Sequence, residues 1–258
     1  VQGMIKRGAG LNVASLMGLV PNETIPEDNP RPSVLRDTIA DVKKRGGFGV
    51  KMLGGYHPFT PESSADVVNA ANEQMAWVAF HVGTKVSGSD MTGLREVPEI
   101  TGHGRLHVAH INSYTRGMVD EPHEEVQEAL RIIEKMRSQW ITEAYLAQAN
   151  GTNGLCDEQG NVVYNVAQNC LKARKYPTTE DGIKASLMDE YGSALIERNG
   201  RIIMVTGKEA VEIWQAASTN ASLSYPVNPA TSAFSLATAK YDDGDFRVDA
   251  ISTDGGSL

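Results

Sequence analysis

The sequence predicts an α/β protein in which parallel strands alternate with helices as in a (β/α)8 barrel of the TIM type. The barrel is expected to be incomplete in this chain and to carry a long insertion before its last strand. Strand-like apolar segments begin near residues 11, 48, 76, 105 and 140, which is the spacing of about 30 residues typical of βα units. Potential metal ligands end several apolar runs, and a barrel gathers its carboxyl-terminal strand ends on one face. An open doubly wound sheet, the alternative, concentrates its site at one switch point.

The first half of the chain supplies most of the predicted elements. The apolar run Leu11–Val20 is typical of a strand covered on both faces. Ser33 can cap a helix that ends near residue 45, and Thr60 before Pro61 marks the start of a helix that runs to about residue 74. Further strands are predicted at Phe48–Leu53, Met75–Val82, Leu106–Ile111 and Trp140–Leu146, and further helices at Asp90–Ile100 and Glu121–Ser138.

Residues 149–240 break this rhythm and are predicted to form an insertion between strands seven and eight of one domain that spans residues 1–258. The segment is rich in turn residues, as in Asn150-Gly-Thr-Asn-Gly154. Helices are expected over Thr179–Tyr191 and Lys208–Ala217, around a short apolar run at Arg201–Val205. The strand Phe246–Ile251 then resumes the barrel pattern.

Composition excludes several classes of function. The 258 residues are 41% hydrophobic and carry a net charge of −8, with no basic stripe that would indicate a nucleic-acid partner. No apolar stretch approaches the roughly 20 residues of a membrane helix, and the first residues lack the apolar centre of a signal peptide. Cys156 and Cys170 are expected to be free thiols of a cytoplasmic protein. Both ends suggest a piece of a longer protein.

Four residues that end apolar runs can build a metal site: Lys51, His81, His110 and Asp254. A lysine carboxylated by carbon dioxide offers two oxygens that can bridge two metals, whereas an ordinary lysine would extend to a carboxylate partner. Neutral imidazoles ligate divalent metals, although core histidines bonded to backbone are equally ordinary. Asp254 can bind metal and accept a proton from water, or can form a turn before Gly255.

His107 competes with His110 because both belong to the same predicted strand. Their offset of three residues places them on opposite faces of a regular strand, since side chains alternate. Only one of them can then face the interior of the barrel. His110 is nearer the carboxyl end and is the predicted ligand, and His107 is expected to point outward or to be structural.

The order of Lys51, His81, His110 and Asp254 resembles the amidohydrolase superfamily of metal-dependent hydrolases. In that family the lysine closes the fourth barrel strand, histidines close the fifth and sixth, and the aspartate closes the eighth. Residues 49–55 are similar to the dihydroorotase and hydantoinase type, and residues 251–256 with the late insertion to the N-acyl-D-amino-acid deacylase branch. The sequence contains no His-x-His, the pair that ends the family's first strand. The first strands and this pair are expected outside the sequence.

The resemblance implies a hydrolase that cleaves the C–N amide bond of a small molecule, such as an N-acyl amino acid or a cyclic amide. One or two divalent ions, zinc first among them, are implied at Lys51, His81, His110 and Asp254, with Lys51 as a carbamate. Asp254 is the implied catalytic residue that takes a proton from water and returns it to the leaving nitrogen. The implied substrate contacts are Tyr56, His57, Tyr114 and Arg116, of which the last can pair with a carboxylate.

Two other functions stay open at this point. An inactive amidohydrolase-like scaffold or binding protein would account for the missing His-x-His. A metal-dependent barrel enzyme of another reaction class, such as a lyase or phosphoesterase, would account for the same fold and ligands, because these do not separate reaction classes. Assembly into a homo-oligomer also stays open.

Overall fold

The computed structural model describes residues 12–252 together with Lys6 and Gly8. A short 3-10 helix spans Ile111–Tyr114. The strands are β1 Leu16–Gly18, β2 Gly49–Leu53, β3 Trp77–His81, β4 Leu106–Val108, β5 Trp140–Tyr145, β6 Asn150–Asn153, β7 Ser193–Arg198, β8 Arg201–Val205, β9 Ser222–Tyr225 and β10 Ala250–Ser252. The helices are α1 Pro32–Lys44, α2 Pro61–Glu73, α3 Met91–Thr101, α4 Pro122–Lys135, α5 Asn165–Lys172, α6 Glu180–Met188, α7 Gly207–Ala216 and α8 Ala230–Thr238.

Six strands form a parallel sheet in the order β1-β2-β3-β4-β5-β10. The first five lie in chain order, because helices carry the chain between them as parallel crossovers require. This arrangement is the predicted alternation and is consistent with part of a TIM-type barrel. Within residues 12–252, β1 and β10 are the two edges of the sheet, so closure of the barrel is not observed.

The register of the strands separates two sets of side chains. Val50 is level with Val78, and Phe80 is level with Val108. These residues belong to the main apolar core, together with Leu35, Val68, Leu94 and Val126 from the helices. Each fully buried side chain of this kind stabilises the fold by about 1.5–3 kcal/mol. The helices therefore cover one face of the sheet.

The other face carries the polar residues of the strands. Lys51 is level with Ala79, which is level with His107. These residues alternate with the core positions along their strands, so they point to the face that the helices do not cover. His81 lies two residues beyond Ala79 and shares this face. The face without helices is therefore where the candidate ligands of β2, β3 and β4 meet.

Helix starts follow local capping chemistry. The Thr60 hydroxyl accepts a hydrogen bond from the Ser63 N–H (3.2 Å), and Pro61 occupies the first turn of α2, as predicted. Asp90 caps α3 by accepting from the Thr92 N–H (2.8 Å). Ser33, the predicted cap of α1, lies inside that helix instead. Pro32 already occupies its first turn, and the N-cap position falls on Arg31, whose side chain makes no capping hydrogen bond.

A second unit covers Leu146–Ala230. It contains an antiparallel sheet in the order β6-β9-β7-β8 and a separate apolar core that includes Leu171, Ile183, Trp214, Leu223 and Tyr225. Cys156 and Cys170 form no disulfide within the described residues, in agreement with the prediction. This unit overlaps most of residues 149–240, and their assignment as an insertion between strands seven and eight stays a prediction. The residues after it, including most of α8, group with the first unit.

None of the helices formed by the described residues combines the length and the apolar content needed to cross a bilayer.

A buried carboxylate fixes the loop that precedes α4. Glu125 is fully buried, and its oxygens accept hydrogen bonds from the N–H groups of Gly117 (2.6 Å), Val119 (2.9 Å) and Asp120 (3.1 Å). Hydrogen bonds to an ionised acceptor are stronger than neutral ones, and burial keeps water from replacing them. Glu125 therefore shapes the segment between the 3-10 helix and α4.

We expect Glu125→Ala to lower the free energy of unfolding by about 1–3 kcal/mol, because the buried carboxylate and its hydrogen bonds to three N–H groups are lost. Urea unfolding followed by circular dichroism measures the change. Glu124→Ala is the matched control, since Glu124 is exposed in the same helical turn, and it should change stability by less than about 0.5 kcal/mol. Equal losses in both variants would contradict this account.

Candidate metal centre

Two imidazoles converge at the carboxyl-terminal ends of β3 and β4. His81 is the last residue of β3, and His110 lies two residues beyond the end of β4. His81 Nδ1 and His110 Nε2 are 3.0 Å apart, and the ring centroids are 4.5 Å apart. These two predicted ligands therefore come together, and they do so through defined nitrogen atoms.

A local backbone change directs His110 toward His81. Strand β4 ends at Val108, and His110 adopts the left-handed conformation with φ 36° and ψ 58°. A non-glycine residue pays about 1–2 kcal/mol for this conformation, which persists at functional sites where the surroundings impose it. The His110 N–H donates to Glu143 Oε1 on β5 (3.3 Å), and the 3-10 helix begins at the next residue.

His107 does not point outward, the first of its two predicted roles, and its ring contacts Trp77 and Glu143, as in the structural role that was the alternative. The alternation of side chains stops with β4, so the offset of three residues does not separate His107 from His110. His107 Nδ1 accepts from Trp77 Nε1 (3.2 Å), and its Nε2 lies 3.8 Å from Glu143 Oε1. Burial lowers the pKa of His107, Glu143 opposes that shift, and Lys51 adds to it.

Tyr114 determines which nitrogen of His110 carries its hydrogen. The Tyr114 hydroxyl donates to the Ala109 carbonyl (2.9 Å), accepts from the Val82 N–H (2.9 Å) and lies 3.2 Å from His110 Nδ1. A hydroxyl has one hydrogen, so all three contacts are satisfied together only if His110 Nδ1 donates. The lone pair of His110 then lies on Nε2, directed at His81.

Tyr114 thus supports His110 from inside the protein. Its side chain is fully buried, which is contrary to the expected contact with substrate. Tyr56 differs, since its side chain is 46% exposed and its ring lies 5.2 Å from that of His81. His57 follows in the same loop, and its N–H donates to the Leu53 carbonyl (2.7 Å). In the described structure its ring makes no hydrogen bond to the histidine pair.

Both imidazoles are neutral at pH 7. Desolvation of the ring, together with the positive charges of Lys51 and Arg116, lowers the pKa of His81 to about 3. Burial, His81, Lys51 and Arg116 together hold the pKa of His110 well below its usual range. Neutral imidazole is the form that binds metal ions. The electrostatics of the pair therefore favour the ligating state.

Lys51 acts on both histidines through its charge, so its side chain lies near them. It is the central residue of β2 rather than its last residue, and it is half-buried. Within the described part of the chain no carboxylate forms an ion pair with Lys51. An amine that faces neutral imidazoles without an anionic partner differs from an ordinary strand-end lysine that extends to a carboxylate.

Arg116 lies in a polar group next to the histidines. Its Nη2 donates to the Tyr145 hydroxyl (3.0 Å) and to Ser113 Oγ (3.3 Å), and the Tyr145 and His110 rings are 6.3 Å apart. Asn112 Oδ1 accepts from the Tyr145 N–H (3.0 Å). Asn112 Nδ2 is buried without a hydrogen-bond partner in the described structure.

Residues of this region that were not among the predicted site residues include Ser89, Glu143 and Tyr145. Ser89 Oγ lies 2.9 Å from His81 Nε2. Glu143 and Tyr145 alternate with the core residues of β5, so the strand pattern could have identified them as members of the polar face. Asp254, the predicted catalytic residue and fourth ligand, lies outside the described residues.

The geometry of the histidine pair fits two ligands of one ion. Two nitrogens bound at about 2.05 Å to a tetrahedral zinc ion are about 3.3 Å apart, close to the observed 3.0 Å. No group of three His, Cys, Asp or Glu side chains converges on one point within the described residues. The pair can therefore supply half of a tetrahedral set, and further ligands must be of another type or lie elsewhere.

Comparison with known proteins identifies a similar fold. No family model and no curated protein matches the sequence. Among solved structures, the chain is similar to N-acyl-D-glutamate deacylase from Bordetella bronchiseptica, complexed with zinc and a phosphonate inhibitor, with a TM-score of 0.56 and 12% identity. D-aminoacylase structures are similar with TM-scores of 0.47 and 0.46, at 13% and 14% identity, over 86% and 85% of this chain and 42% and 41% of theirs.

The similarity to the deacylase covers 90% of this chain and 47% of that chain. The chain thus spans about half the length of that structure. At 12% identity the similarity concerns the fold, and the six-stranded parallel sheet is consistent with part of a TIM-type barrel.

Proposed function

We propose that this chain belongs to a metal-dependent amidohydrolase that cleaves a C–N amide bond by metal-activated water. The observation that carries the proposal is the convergence of His81 Nδ1 and His110 Nε2 at 3.0 Å. Both imidazoles are neutral, and they lie at the carboxyl-terminal ends of two neighbouring parallel strands. In barrels, residues at the carboxyl ends of strands form the active site. The fold similarity to a deacylase supports the same reaction class.

The proposed metal ligands are His81 Nδ1 and His110 Nε2, with Lys51 and Asp254 completing the set. One or two divalent ions, zinc first among them, would supply a Lewis acid and would make water a stronger acid near neutral pH. Lys51 has no ion pair with a carboxylate in the described structure, so carboxylation of its amine by carbon dioxide, with release of the amine protons, would break no salt bridge. Asp254 is the proposed proton acceptor, which returns the proton to the leaving nitrogen.

The proposed substrate is a small amide, either an N-acyl amino acid or a cyclic amide. Arg116 is fixed by Tyr145 and Ser113 and carries the charge needed to pair with a substrate carboxylate. Tyr56 is exposed beside His81, where an aromatic ring can pack on the substrate. His57 is a further proposed contact in the same loop. Tyr114 instead holds His110 in place.

A second candidate is an inactive scaffold or binding protein with this fold. The observation that favours it is the ligand count, since His81 and His110 are only two donors within the described residues. Metal content separates the two candidates. A metal-dependent barrel enzyme of another reaction class would bind metal equally well, and a screen of amides, esters and phosphoesters would distinguish it.

We expect the purified protein to bind zinc, and His81→Ala and His110→Ala each to weaken zinc binding by about 100-fold or more. Loss of either imidazole removes half of the observed nitrogen pair, and even outer-sphere changes cost 10- to 100-fold. Elemental analysis and calorimetric zinc titration measure the effect. His103→Ala is the matched control, because His103 is exposed in a turn. Unchanged zinc content in the His81 and His110 variants would exclude this metal centre.

We also expect the metal-free protein to lose stability as the pH falls below 6.5. The folded-state pKa of His81 is about 3, below the unfolded value of about 6.5, so between these values the unfolded chain binds the additional proton. The contribution is complete above pH 6.5 and amounts to a loss of about 2 kcal/mol by pH 5. Urea unfolding between pH 7 and pH 5 measures the free energy of unfolding at each pH. This free energy should fall less with decreasing pH in His81→Asn than in the wild-type protein. Parallel profiles for both proteins would show that this histidine does not govern the pH dependence.

A further inference from the structure

The loop after β3 returns to the histidine from which it departs. Residues 82–88 connect His81 to Ser89, and the hydroxyl oxygen of Ser89 lies 2.9 Å from His81 Nε2. Because His81 Nδ1 faces His110, both ring nitrogens of His81 have a partner. Ser89 is thus the group that meets His81 on the side opposite to the proposed ion.

The loop that carries Ser89 is fixed at several points. Glu96 Oε2 on α3 accepts hydrogen bonds from Thr84 Oγ1 (2.9 Å) and Ser87 Oγ (2.7 Å). The next residue after Ser89 is Asp90, which caps α3. Lys85 Nζ pairs with Asp28 Oδ2 at 2.5 Å. The position of the Ser89 hydroxyl is therefore defined by the loop and by the start of α3.

The hydrogen on His81 depends on whether an ion is bound. In the metal-free protein, His110 Nε2 is an acceptor, so His81 Nδ1 carries the hydrogen that lies between the rings. His81 Nε2 is then an acceptor, and Ser89 donates to it. If Nδ1 is to bind an ion, its hydrogen must be absent, and a neutral ring then carries the hydrogen on Nε2. Ser89 must then accept instead of donate.

A hydroxyl satisfies both states because it can donate or accept at the same position. We propose that Ser89 is a positioning residue of the metal centre, which donates to His81 Nε2 in the metal-free protein and accepts from it when His81 Nδ1 binds an ion. The inference rests on the proposed metal centre and adds the residue that permits His81 to change its tautomer. A carboxylate could only accept, and an alkyl side chain could do neither.

The test compares Ser89→Thr with Ser89→Val, which have nearly the same shape and differ in the hydroxyl. We expect Ser89→Thr to retain the zinc affinity of the wild-type protein within about threefold, and Ser89→Val to lose 10- to 100-fold, as for other outer-sphere partners of metal-bound histidines. Calorimetric titration with zinc alone gives the affinities. Ser138→Ala, at an exposed position, is the control and should match the wild-type protein.

Nuclear magnetic resonance of the His81 ring nitrogens gives a second readout that is independent of activity. We expect the hydrogen on Nδ1 without zinc and on Nε2 with zinc in the wild-type protein and in Ser89→Thr. Equal zinc affinity of the threonine and valine variants, or a hydrogen on His81 Nε2 both with and without zinc, would overturn the inference while leaving the metal centre intact. A hydrogen that stays on His81 Nδ1 in the presence of zinc would overturn both the inference and His81 Nδ1 as a ligand. A wild-type protein that binds no zinc would overturn the proposed function, and the inference with it.

Discussion

The alternation of side chains along in-register parallel strands is the constraint on which the site depends. Val50, Val78 and Val108 point into the helix-covered core, so Lys51 and His107 must point to the other face. A slip of one residue in any of these strands would exchange the two sets. Burial of the valines therefore fixes the strand register, and the register fixes the positions of Lys51 and His107. The stability of the core thus determines where the candidate site lies.

His110 joins this face by leaving the strand pattern rather than by obeying it. After Val108 the chain enters a left-handed residue and then a 3-10 helix. Neighbouring groups impose that geometry, since Glu143 accepts from the His110 N–H and Tyr114 binds the ring. The candidate centre thus combines one ligand fixed by strand register, His81, with another fixed by a strained turn.

The alternating half of the fold was predictable because its signals are local. Apolar runs, the Thr60–Pro61 start and the amphipathic pattern of α4 each lie within one segment, and the structure has strands and helices at those places. The sheet of β6, β7, β8 and β9 was not predicted, because its pairing joins segments far apart in a turn-rich region. His81 and His110 could be selected because they lie near the ends of apolar runs. The left-handed turn that aligns His110 could not be predicted, and no sequence pattern marks Ser89 as a partner of His81.

Tyr114 joins the ends of two strands through one oxygen atom, which contacts the backbone after β3 at Val82 and the backbone after β4 at Ala109. The separation of the two imidazoles is therefore set largely before any ligand arrives. Ordering flexible side chains on binding costs about 0.5–1.5 kcal/mol for each group immobilised. A ligand of this pair would avoid most of that entropic cost, since folding has already restricted the motion of His110.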